Sequence, residues 1–186
     1  MRTLSLALLL TVGSCSCKGA TPSDPKAAAS GDAADSSGFA LTSPAFAEGG
    51  AIPPKHTCEG TDVSPELAWK GAPATAKSFA VIVDDPDAPG GVWTHWLLYD
   101  LPAATSGLPE GAKNAGLEGT TSWDKTGWGG PCPPSGTHRY FFKLFALDVG
   151  TLGKPGGAAR DEVERGMEGH IVGRATLMGT YAKHGR

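Results

Sequence analysis

The chain has no concentrated basic segment: its 16 Lys and Arg are scattered among 19 Asp and Glu, for a net charge of −3. A duplex-binding face needs clustered positive charge, so no nucleic-acid partner is expected. Long apolar runs are missing too. The stretch Leu4 to Val12 falls well short of the roughly 20 residues that carry a helix across a bilayer. There is no G-x-S-x-G elbow, no H-E-x-x-H and no paired C-x-x-C, which removes common signatures of serine hydrolases and zinc enzymes. Repeat arrays and coiled coils are likewise excluded. What the sequence holds in quantity is glycine and proline, 27 and 15 residues of 186. They favour a turn-rich β protein over a helical bundle. At 40% hydrophobic and 19% charged, the composition is that of one globular domain.

Met1-Arg2-Thr3 and the short apolar stretch behind it read as an export signal. The stretch ends in Val12-Gly13-Ser14-Cys15, which is similar to the lipobox of bacterial lipoproteins. That resemblance implies cleavage after residue 14 and acylation of Cys15. Residues 15–38 contain no large apolar side chain and are rich in Ala, Ser, Gly and Pro. Such a segment cannot bury enough surface to offset its ordering entropy, and a flexible tether is expected. The organisation read from the chain is therefore signal peptide 1–14, tether 15–38 and folded domain 39–186. An N-terminal lipid anchor would hold the protein to a membrane of the bacterial cell envelope, on a periplasmic or extracellular face.

Within 39–186 the local patterns are mostly extended. Ser78-Phe79-Ala80-Val81-Ile82-Val83 is an apolar run halted by Asp84-Asp85-Pro86, as expected of a buried strand that ends in a turn. His95 to Leu101 and the aromatic-rich His138 to Leu147 read as two more strands. Arg174 to Tyr181 alternates in the manner of a half-buried one. A helix is expected over about Arg160 to Glu168, with Asp161 and Glu162 at its positive end and Val163 and Met167 on one apolar edge. The fold class is all-β with one short helix, built as a sandwich. The glycine-rich Leu108 to Ser135 is a long loop of the kind that lines a site.

Ionisable residues gather at the strand ends. Asp84-Asp85-Pro86-Asp87-Ala88-Pro89 is followed by Trp93-Thr94-His95-Trp96, and a second cluster runs from Gly129-Gly130-Pro131-Cys132-Pro133 to His138-Arg139-Tyr140. Carboxylates and imidazoles brought together must hydrogen-bond each other or bind something. An Asp accepting from one imidazole nitrogen leaves the other for a ligand. Glycine lets backbone N–H groups come close to an anion. Plainer readings apply to several residues. Asp87 suits a turn, Trp96 alternates away from His95 into the core, and Arg139 suits a structural salt bridge. His56 and His170 look structural, and His184 lies on the tail.

The pairing of DPDAP and W-x-HW with GPCPP-x-G-x-HRY resembles the phosphatidylethanolamine-binding protein (PEBP) family, also called Raf kinase inhibitor-like proteins, and most its bacterial branch. Thr57-Cys58-Glu59-Gly60, Val63-Ser64-Pro65, Leu67-Ala68-Trp69, Lys77-Ser78-Phe79, Glu168-Gly169-His170-Ile171 and Gly179-Thr180-Tyr181 extend the match from about Phe46 to Tyr181. The resemblance implies a PEBP-like two-sheet β-sandwich with a small anion-binding cavity at one end. Asp85, Asp87, Trp93, His95, Gly130, Pro133, His138 and Tyr140 would line or support that cavity. It also implies a ligand-binding module for a phosphorylated small molecule or phospholipid head group, with no cofactor and no catalytic residue. In that reading His95 and His138 donate to an oxyanion, Asp85 orients one imidazole and Gly130 adds a backbone donor. Trp93 and Tyr140 form walls, and Asp87 ties the turn. Cys58 and Cys132 lie in motifs that border the cavity end, and a disulfide between them is expected in an oxidising compartment. The C-terminal helix that flanks the cavity in eukaryotic members has no counterpart in the five residues after Tyr181. Two alternatives stay open: an inhibitor presenting a loop to a protease or kinase, and a hydrolase or metal enzyme using the same His/Asp cluster. Elemental analysis with a phosphate-ligand screen separates the binding module from the enzyme, and capture of a partner from envelope extract addresses the inhibitor.

Overall fold

Residues 38–184 are described by a computed structural model; the signal-peptide and Cys15 readings, and nearly all of the expected tether, lie outside the described residues. Strands form at β1 (Ala40–Thr42), β2 (Leu67–Lys70), β3 (Ser78–Asp85), β4 (Trp93–Pro102), β5 (Gly107–Leu108), β6 (Leu117–Glu118), β7 (Thr137–Leu147) and β8 (Ile171–Ala182). A helix, α1 (Arg160–Met167), precedes β8. The strands make two antiparallel sheets, ordered β1-β2-β5 and β6-β4-β3-β7-β8.

The centre of the large sheet is β3, buried at every position because both of its faces are covered. Its alternation separates two cores. Phe79, Val81 and Val83 meet Leu41, Leu67 and Trp69 of the small sheet. Ala80 and Ile82 point the other way, with Leu97 and Tyr99, under Val163 and Met167 of α1. Each such large side chain contributes roughly 1.5–3 kcal/mol when fully buried. The helix is held where the sequence places acid at its start: the Glu162 carboxylate accepts the Ala159 N–H at 2.9 Å. Arg160 then reaches β3, donating to both oxygens of the buried Asp84 at 2.6 and 2.9 Å, while Lys143 donates to the same carboxylate at 3.1 Å. A buried carboxylate so surrounded has its desolvation offset. The helix stops one residue before the expected Glu168, since that residue is extended (ψ 128) and Gly169 turns left-handed (φ 77).

The large sheet also departs from a regular ladder. Val83 pairs with Trp96 and Asp84 with Thr94, so His95 is the extra residue of a β-bulge. Trp96 is a core residue as expected, but it does not alternate away from His95. The bulge puts Trp96 in the same inner cluster as Tyr140, the ring against which His95 packs. At the same end of the sandwich Cys58 and Cys132, 74 residues apart in sequence, are disulfide-bonded with Cα atoms 5.5 Å apart.

Candidate functional site

Asp85 ends β3 opposite Trp93, which opens β4. His95 follows in the bulge, and His138 enters from β7, the neighbour of β3 on its other side. Together with Pro133 and the Ala88-Pro89 turn they line a cavity of about 320 Å³. Cys132 and Trp123 complete its wall. Trp123 was not expected at the site. It packs edge-on against Trp93 at 5.4 Å and His95 at 5.0 Å between ring centres, and it stays 37% exposed. A Trp six residues before Gly129, inside the long glycine-rich loop, is the sequence signal that could have found it.

The hydrogen bonds of the two imidazoles determine what the cavity offers. Asp85 is buried. One of its oxygens accepts the Asp87 N–H at 2.8 Å, and the other faces His138 Nδ1 at 2.7 Å. A carboxylate accepts, so Nδ1 of His138 carries the proton. His95 Nδ1 lies 2.6 Å from the Gly129 carbonyl oxygen, which again only accepts. When neutral, both rings are therefore Nδ1–H tautomers with a lone pair on Nε2, and neither Nε2 has a partner among the described residues. Burial lowers the His95 pKa, with the Gly129 carbonyl and then the Asp85 charge acting against it. Two neutral rings thus present acceptors, and the expected donation to an anion requires an imidazolium or a proton brought by the ligand.

The remaining expected residues separate by role. Gly130 is not a free donor: its N–H is committed to Asp62 Oδ1 at 2.8 Å, and neither residue lines the cavity. Asp87 lies outside the lining and ties the turn to β7 instead. Its carboxylate accepts the Arg139 backbone N–H at 2.9 Å, Nε at 2.9 Å and Nη2 at 2.6 Å. The Arg139 side chain holds the Asp87 pKa down to about 2. Tyr140 supports the site from beneath, its ring 5.2 Å from that of His95. Its buried hydroxyl faces the Asp85 carboxylate, and burial together with the Asp85 charge raises its pKa. His56 donates to Val63 O and His170 to Asp148, as structural residues do. His184 is no loose tail residue; its backbone N–H donates to Glu59 at 3.0 Å. Ser135 lines an adjoining cavity of about 660 Å³ with Glu59 and Lys183, whose lining includes neither His95 nor His138. Among the described residues no group of three or more His, Cys, Asp or Glu is arranged to hold a metal ion.

These features define a class: two-sheet β-sandwiches that carry a histidine-lined pocket at one end of the larger sheet. A family model described as phosphatidylethanolamine-binding protein matches residues 42–182, and the chain belongs to that family. It is 46% identical over 149 residues to a UPF0098 protein of Methanothermobacter thermautotrophicus, covering 77% of this chain and 98% of that one. A UPF0098 protein of Chlamydia pneumoniae is 46% identical over 148 residues, with 77% and 98% covered. Among solved structures, the PEBP homologue CT736 of Chlamydia trachomatis superposes with a TM-score of 0.77 at 41% identity, covering 80% of this chain and 100% of that one. YbcL of E. coli, described as a member of the mammalian family, gives 0.74 at 31% identity over 79% and 99%.

Proposed function

We propose that the chain binds a phosphorylated small molecule or a phospholipid head group in the His95–His138 pocket, without covalent chemistry. The observation that carries this reading is the pair of unpartnered Nε2 atoms, each on a ring whose Nδ1–H is already held by the protein. A phosphate monoester monoanion matches them. Its P–OH donates to one Nε2, and the other ring, once protonated, donates to P–O⁻. Trp93, Trp123 and Pro133 offer apolar wall to the organic part of the ligand. No Ser or Thr lines the cavity and its one cysteine, Cys132, is in a disulfide, so the pocket offers no hydroxyl or thiol nucleophile. The family name points to a phosphate ligand as well, a diester that lacks the P–OH and would take its hydrogen bonds from protonated rings. Acylation at Cys15 and residence at an envelope membrane complete the proposal, supported by Val12-Gly13-Ser14-Cys15; mass spectrometry of the N-terminal peptide tests that part.

The test of the pocket is calorimetric titration of the wild type, His95→Ala and His138→Ala with phosphoethanolamine and with inorganic phosphate. Each charge-assisted hydrogen bond contributes about 1.5–3 kcal/mol, so either variant should bind roughly 10- to 100-fold more weakly. Equal affinity in all three proteins would overturn the assignment.

A further inference from the structure

The peptide group joining Gly129 to Gly130 is held from both ends. Its carbonyl accepts from His95 Nδ1 at 2.6 Å, and its N–H donates to Asp62 Oδ1 at 2.8 Å. The C=O and N–H of a planar trans peptide point in opposite directions. Carboxylate, amide and imidazole therefore form one hydrogen-bonded chain in which each bond polarises the next. Residue 129 grips His95 a second time, its own N–H donating to the His95 carbonyl at 3.0 Å.

The local sequence is shaped around this contact. A Cβ at position 130 would sit 2.3 Å from Asp62 Oδ1 and 2.5 Å from the His56 carbonyl oxygen, and one at 129 would sit 2.5 Å from the Trp123 ring. Both positions need glycine for close approach. Asp62 itself is left-handed (φ 53), which aspartate tolerates better than most residues. The segment bearing it is fastened to the glycine segment twice more, by the Cys58–Cys132 disulfide and by Cys58 N–H donating to Pro131 O at 3.2 Å.

We infer that Asp62 is a positioning residue for His95, acting through this single peptide group as Asp85 acts on His138 by direct contact. Glycines on both sides leave the peptide plane free to turn over at little cost. Once reversed, it would aim an N–H at His95 Nδ1 and force the ring's proton onto Nε2. The Asp62 carboxylate blocks that reversal, because the flipped carbonyl would face a negative charge. Asp62 also adds to the negative field at His95, behind the larger contributions of Asp85 and Asp84. The consequence for ligand affinity rests on the pocket reading above; the effect on the imidazole does not.

The test uses the full chain with Asp62→Asn, which keeps an acceptor and loses the charge, and Asp62→Gly, which suits φ 53 and loses both. Long-range ¹H–¹⁵N NMR reads the tautomer and titration of each imidazole, with His138 as internal control. In the wild type His95 should be the Nδ1–H form. In Asp62→Gly the Nε2–H form should appear and the His95 titration midpoint should fall, while Asp62→Asn should keep the tautomer and show only a lowered midpoint. His138 signals should not move in either variant. Phosphoethanolamine affinity should drop about 3- to 10-fold in Asp62→Gly, the loss of about one hydrogen bond. If the wild type shows the expected imidazole signals and the variants shift them but none binds phosphoethanolamine, the positioning role stands and the pocket's ligand reading fails. His95 spectra that match the wild type in Asp62→Gly overturn the inference. Should that variant fail to fold, Asp62→Ala takes its place, and an unchanged Nδ1–H form of His95 there overturns the inference equally.

Discussion

Substituting Asp85→Asn keeps the side-chain shape but reverses one hydrogen bond. Oδ1 of Asp85 receives the Asp87 N–H at 2.8 Å, and only an oxygen can accept there. The Asn must leave its carbonyl in that place and turn its NH₂ toward His138 Nδ1, now 2.7 Å from an acceptor oxygen. Nδ1 then has to accept, and the ring's proton moves to Nε2, the tautomer inversion familiar from Asp-to-Asn changes in catalytic triads. Wild-type His138 gains a donor at Nε2 only by taking up a proton; the variant carries one already. Its bond to phosphate thus loses the imidazolium charge while the phosphate oxygen stays ionised, moving from the upper to the lower end of the about 1.5–3 kcal/mol range for hydrogen bonds to charged groups. A difference of about 1–1.5 kcal/mol corresponds to a loss of about 5- to 12-fold in affinity near pH 6. Near pH 8 the loss should shrink, so the variant's affinity depends less on pH. Calorimetry in two buffers of different ionisation enthalpy counts the protons taken up on binding, and ¹⁵N NMR identifies the tautomer. A variant that keeps the Nδ1–H form of His138, or that takes up as many protons as the wild type, would refute the reasoning.

Removing the Cys58–Cys132 bridge by Cys58→Ser with Cys132→Ser opens a loop closed over 74 residues; chain entropy puts the cost at about 4 kcal/mol, read as a lower denaturation midpoint, and an unchanged midpoint rejects it. The Asp87 carboxyl is held at about 2 by the Arg139 side chain, below its ordinary value of 3.8, so the pair stabilises the fold above that ordinary value and the contribution fades as pH falls toward 2. Arg139→Gln should accordingly be less stable than the wild type at neutral pH, with the two proteins converging in acid; a gap that stays constant across the titration contradicts the assignment.

Much of the large sheet was legible because its strands are long enough to show a pattern. β3, β7, the C-terminal part of β8 and α1 each carry an apolar run or a clear alternation. β1, β2, β5 and β6 were not read as strands, since two to four residues are too few for a period to appear. At the site, residue type and motif point to Asp85, His95 and His138, and all three are buried. Gly130 was misassigned because glycine permits close approach without saying to what; the partner is Asp62, 68 residues away. Trp123 and Asp62 sit on irregular segments brought to the His95 region by tertiary contacts; only its place in the glycine-rich loop marks Trp123, and nothing in the spacing around Asp62 announces it. The tautomers, which decide whether the pocket offers donors or acceptors, are set by partners that only the folded chain identifies.

The bulge at His95 separates architecture from chemistry at the scale of one codon. Val83–Trp96, Asp84–Thr94 and Asp85–Trp93 are all paired without it. A deletion of His95 alone would let those three pairs close into an uninterrupted ladder, leaving the sandwich intact and the pocket with a single imidazole. The reverse event, insertion of one residue into an ordinary strand pair, would create a ligand group where none existed. A lineage of such sandwiches can therefore gain or lose this half of the site without passing through an unfolded ancestor.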